Sequence, residues 1–112
     1  MNGTVFVMHA AELGRGDDAL GAKLTASFLR TVASVEPKPD AVVFYNAAVK
    51  LLAPESPVLD ALRELEDAGV DLLACVTCLE FFHLTERISA GEISNMRDIV
   101  QRLLAAGKVV TL

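Results

Sequence analysis

The chain has 112 residues, 53% of them hydrophobic and only 5% aromatic, with a formal charge of −5. That length holds one domain, residues 1–112, and one core, and the apolar content excludes a disordered chain. Fifteen acidic residues against ten scattered basic ones leave no basic stripe for phosphate, which excludes a nucleic-acid role.

Thr4 to Met8 is a short apolar run that reads as a buried first strand, ending at His9. The Gly14-Arg15-Gly16-Asp17-Asp18 segment is a loop, with Asp17 or Asp18 placed to cap a helix that runs to about Val35. Leu20, Leu24, Phe28, Val32 and Val35 recur at helical spacing and predict its apolar face. Ala41 to Tyr45 is the second strand, followed at once by Asn46 and a short helical turn over Ala47 to Leu52. A second helix opens near Pro57 and ends at Gly69, with Val58, Leu62 and Leu65 as its buried stripe.

Val70 to Ala74 is the third strand, and it delivers the chain into Cys75-Val76-Thr77-Cys78. Leu79 to Ser89 reads as one or two short helices, and Glu92 to Ser94 as a brief fourth strand. Asn95 caps a last helix with Asp98 three residues on, and Met96, Ile99, Leu103 and Leu104 supply its predicted inner face. Gly107 ends that helix and Lys108 to Leu112 forms a closing strand. Strands alternating with helices, with no hairpin signal, predict an α/β three-layer sandwich. Its sheet of about five strands is mostly parallel, with right-handed crossovers.

No apolar run approaches the roughly 18–20 residues of a membrane span. The opening Met1-Asn2-Gly3-Thr4-Val5 lacks the basic start and apolar stretch of a secretory signal. The expected setting is cytoplasmic. There a C-x-x-C pair points to catalysis, redox chemistry or metal binding rather than to a structural staple. The surplus of apolar residues in so small a chain also predicts self-association.

Ligands gather at the carboxyl ends of parallel strands, and His9, Asn46 and Cys75 fall at three such ends. A cysteine that leaves a strand for a helical turn meets free backbone N–H groups, which favour the nucleophilic thiolate. Cys75 is therefore the expected nucleophile, with Cys78 one turn later as a resolving thiol or a space-filling one. His9 is a candidate acid/base partner, whereas His83 lies in the ambiguous aromatic segment and is read as structural. Arg15 is a candidate for steering an anionic substrate, although its loop lacks the third glycine and the lysine of a nucleotide cradle. One C-x-x-C offers two ligands where structural zinc takes four, and His9 and His83 have no spacing that completes the set; no metal and no cofactor are expected. Phe81 and Phe82 are adjacent, so a helix cannot bury both on one face.

Four stretches carry a family likeness: Leu13-Gly14-Arg15-Gly16-Asp17-Asp18-Ala19-Leu20-Gly21, Phe44-Tyr45-Asn46-Ala47-Ala48-Val49-Lys50-Leu51, Cys75-Val76-Thr77-Cys78-Leu79 and Gly91-Glu92-Ile93-Ser94-Asn95-Met96. With them the sequence resembles the DsrE/DsrF-like sulfur-relay superfamily. Within it the likeness is closest to the C-terminal domain of YedF-type sulfurtransferase-like proteins of selenium metabolism. The resemblance implies a parallel α/β domain assembled into homo-oligomers, often trimers or hexamers. It also implies a cysteine, matched here by Cys75, that passes persulfide sulfur between donor and acceptor proteins, among them a small sulfur-carrier module. Many relatives read Cys-Gly-Thr-Cys in this loop; Val76 replaces the glycine here, and valine disfavours a loop needing positive φ at that position. Two other readings use the same residues: a thiol–disulfide redox protein built on both cysteines, and a non-catalytic oligomeric binding protein.

Overall fold

A computed structural model describes residues 3–112; Met1 and Asn2, part of the segment read for a signal, lie outside the described residues. Five strands form one sheet: β1 (Thr4–Met8), β2 (Ala41–Phe44), β3 (Asp71–Cys75), β4 (Glu92–Ser94) and β5 (Lys108–Thr111). Their order is β4-β3-β2-β1-β5, and every adjacent pair is parallel. The four α-helices are α1 (Asp18–Ser34), α2 (Leu59–Asp67), α3 (Val76–Phe81) and α4 (Met96–Ala105), and Asn46–Leu52 forms a 3-10 helix. The expected three-layer sandwich is present, and the sheet is parallel throughout.

Alternation along the strands sorts the core into two layers. Met8, Val42, Phe44, Leu72 and Ala74 pack with Leu29, Leu52, Leu62, Leu65 and Leu79 from α1, the 3-10 helix, α2 and α3. The other sheet face turns Val5, Val7, Ala41, Val43, Leu73 and Cys75 toward α4, whose Ile99 is buried among them. One face is thus covered by several elements and the other mainly by a single helix.

Local chemistry sets the helix ends much as the sequence predicts. Asp17 caps α1 by accepting from the Leu20 N–H at 2.9 Å, and Asn95 caps α4 by accepting from the Asp98 N–H at 2.9 Å. Gly69 follows α2 at φ 95, a left-handed value that suits glycine at a helix end. Helix α2 begins at Leu59 rather than near Pro57, so Pro57 and Val58 belong to the preceding turn.

Two buried faces differ from expectation. On α1 the residues against the core are Gly21, Thr25, Leu29, Val32 and Ala33, while Leu20, Leu24 and Val35 remain exposed. The helix is rotated because it docks on the loop after β1. A methyl group on Gly21 would meet Glu12 Cβ at 2.7 Å, and the Thr25 hydroxyl donates to the Ala11 carbonyl at 2.8 Å. Small and hydrogen-bonding residues, not leucines, permit that close approach. On α4 only Ile99 is buried, Leu103 is half-buried, and Met96 and Leu104 are exposed.

Candidate functional site

Strands β2 and β3 are neighbours, and the chain turns sharply as it leaves each of them. Cys75 closes β3 and immediately precedes α3. It lies two residues beyond Leu73 on the same side of the strand, so the alternation that buries Leu73 also buries Cys75. Only 2% of Cys75 is exposed, among Val5, Val7, Val43 and Ile99. The expectation that Cys75 presents an open sulfur at the strand end is corrected here: the sheet's side-chain period points it into the α4 layer.

Cys78 is the reachable thiol. It sits in the first turn of α3, is partly exposed, and packs against both core layers. Val76 takes an ordinary helical place as the first residue of α3, so this loop does not require glycine at that position.

Asn46 approaches Cys78 from the end of β2. Its backbone N–H donates to Cys78 Sγ at 3.0 Å. Asn46 itself has φ 50, in the left-handed region that asparagine tolerates better than most residues. Its side-chain Oδ1 accepts from the Ala47 N–H at 2.8 Å, so the carboxamide shapes this turn.

Burial pushes the Cys78 thiol above its ordinary range, the Asn46 N–H pulls it down, and Cys75 pushes it up again through a side-chain hydrogen bond and through charge. The upward causes prevail. That direction favours the thiol over the thiolate at Cys78.

Tyr45 and Met96 join this cluster, and sequence reasoning missed both. Burial, then the nearness of Cys75 and Cys78, raises the Tyr45 phenol above its ordinary value. The phenol keeps its proton and donates to Met96 Sδ at 3.6 Å. Tyr45 is the chain's one tyrosine and directly precedes Asn46, which was the available signal. The part of Met96 depends on β4 lying beside β3, and no local pattern discloses that neighbour.

The remaining candidates lie elsewhere. His9 is exposed and lines a cavity of about 440 Å3 with Glu12, Gly14, Arg15, Asp18 and Leu112. The walls of that cavity include neither cysteine and not Asn46, and the hydrogen bond to Cys78 Sγ comes from Asn46, not from His9 or Arg15. His83 lies just beyond the C-cap of α3 at φ 58, and Phe81 is exposed while Phe82 is half-buried. Among the described residues no three His, Cys, Asp or Glu side chains converge to hold a metal ion, and no helix is long and apolar enough to cross a membrane.

A model of the DsrE/DsrF-like family matches residues 3–112. The chain belongs to that family. Among solved structures, it is similar to the ychN protein of E. coli, with a TM-score of 0.78 and 20% identity over 100% of both chains. MTH1491 of Methanobacterium thermoautotrophicum, a protein of unknown function, has a TM-score of 0.70 and 23% identity over 97% of both chains. BT1422 of Bacteroides thetaiotaomicron, also of unknown function, has a TM-score of 0.62 and 15% identity over 97% of this chain and 94% of that one. These likenesses establish a DsrE/DsrF-like fold. No curated protein matches the chain.

Proposed function

We propose that this protein is a sulfur-relay carrier that holds sulfane sulfur as a persulfide on Cys78, with Cys75 as the resolving thiol. The observation that supports this most is the arrangement of the pair: a reachable Cys78 sulfur met by a backbone N–H, with a buried second thiol beside it. Membership of a family associated with sulfur relay agrees with it. In loading, the Cys78 thiolate attacks the outer sulfur of a donor persulfide, an S–S bond forms, and the donor leaves as a thiolate. Cys75 can then attack Cys78 Sγ, which closes a Cys75–Cys78 disulfide and releases hydrosulfide.

Donor and acceptor proteins, a small sulfur-carrier module among them, are the partners this reading calls for, in a cytoplasmic setting. Selenium, the heavier chalcogen, undergoes the same displacements, in line with the likeness to selenium-metabolism domains. The exposed apolar residues Met96, Val100 and Leu104 along α4 support a homo-oligomer, a trimer or hexamer by resemblance.

Intact-mass analysis after treatment with inorganic polysulfide tests the carrier. One added sulfur atom is expected on Cys75→Ser, one added sulfur or the internal disulfide left by its resolution on the wild type, and neither on Cys78→Ser. An adduct that survives in Cys78→Ser and disappears in Cys75→Ser would sink this assignment.

The closeness of the two thiols also favours a second reading, a thiol–disulfide redox protein. It predicts a reversible internal disulfide in glutathione buffers, and loss of function from either single cysteine variant alike.

A further inference from the structure

The turn between β2 and the 3-10 helix is held in a conformation that glycine reaches freely, asparagine at modest cost and β-branched residues poorly. Asn46 occupies it at φ 50, braced by the bond from the Ala47 N–H to its own Oδ1. A residue at the start of a helix has an N–H with no partner inside that helix, and here the N–H is aimed at Cys78 Sγ, 3.0 Å away. The contact is therefore with the inner sulfur, the atom bonded to the protein, whatever Cys78 carries beyond it.

Resting on the carrier reading above, we propose that Asn46 is a positioning residue whose left-handed backbone aims its N–H at Cys78 Sγ and so favours the step in which Cys78 gives its sulfur away. In that step an acceptor thiolate attacks the outer sulfur of the Cys78 persulfide. A new S–S bond forms between acceptor and outer sulfur, and the bond from the outer sulfur to Sγ breaks. The outer sulfur keeps its proton if it has one, and the electron pair of the broken bond stays on Sγ. The products are an acceptor persulfide and a Cys78 thiolate.

Charge on the loaded protein sits on the outer sulfur, beyond the N–H. Charge on the unloaded protein sits on Sγ, where the N–H donates. A fixed donor at the atom where charge develops lowers the barrier to reaching that state. The Asn46 amide thus acts on release of sulfur rather than on its storage.

Two readouts on the full chain test this: the pH profile of iodoacetamide alkylation at Cys78, and the rate at which polysulfide-loaded protein passes sulfur to 2-mercaptoethanol, both followed by mass. Asn46→Val, which resists the left-handed backbone, is expected to move the alkylation profile to higher pH. It is also expected to slow sulfur donation by about tenfold, the scale of one hydrogen bond to a charged sulfur. Asn46→Gly, which restores that backbone without the carboxamide, is expected to recover most of both. Should the valine variant fail to fold, Asn46→Ala opposes the same backbone more mildly and must move both readouts in the same direction.

Unchanged profiles in the valine or alanine variant would overturn the proposal. So would a glycine variant as impaired as the valine one, since the effect would then belong to the side chain. A Cys75→Ser protein that takes up no sulfur would remove the carrier reading and the donation step with it. The alkylation profile would still decide whether the amide acts on the Cys78 sulfur.

Discussion

The strand ends of the sheet carry two clusters of chemically capable residues, and they are held in different ways. At β2 and β3, Cys75 and Tyr45 pack in the α4 layer, Cys78 packs against both core layers, and Asn46 is tied to Cys78 through its backbone N–H. At β1 and β5, His9 and Arg15 border an open cavity whose loop is set by an aspartate cap and by glycines at φ 84 and φ 125. Polar groups in the first cluster have their ionisation shifted by burial and by each other. The comparison teaches that position at a strand end brings a residue to the ligand edge of the sheet, but only packing sets its chemistry.

The strongest way to break this contrast is Leu79→Ala. Leu79 is the fully buried residue of α3, and its truncation is expected to cost about 2–5 kcal/mol in denaturant unfolding, loosening the turn that bears Cys78. A loss below about 1 kcal/mol would show that packing does not anchor the thiol turn.

Cys75→Ala sharpens the contrast next. Both contributions of Cys75 to Cys78 raise its pKa, so their removal lowers it, and alkylation of Cys78 at a fixed mildly alkaline pH speeds up. A slower reaction would mean that the buried thiol assists its neighbour instead of holding it protonated.

On the other side, Asp17→Ala removes the cap of α1 and is expected to cost about 1 kcal/mol with the alkylation profile of Cys78 intact. Smallest of all, His9→Ala and Arg15→Ala are expected to leave polysulfide loading within about twofold of the wild type, a change equivalent to well under 1 kcal/mol. A larger loss in either would join the two clusters into one site.

The elements were legible because their signals are local. Thr4–Met8 and Glu92–Ser94 match their predicted spans, and Asp17 and Asn95 cap where their side chains predict. Helix faces were less so. The Leu20–Leu24–Phe28 stripe is the most apolar face of α1, yet the close approach at Gly21 and the Thr25 bond decide the docking, and both depend on a loop distant in sequence. The C-x-x-C site was legible as a motif and in its place at a strand end. Which thiol opens to solvent was not, because it follows from the phase of β3 relative to the two layers, and Leu73 and Cys75 share the thinly covered side.

Strand β1 pairs on one side with β2 and on the other with β5, so that Thr4 lies opposite Lys108. Until that late segment arrives, the flank of β1 keeps a ladder of unpaired amides and carbonyls open to other chains. Such distant pairing slows folding, because the chain between the two strands must be closed into a loop before their contact rewards it.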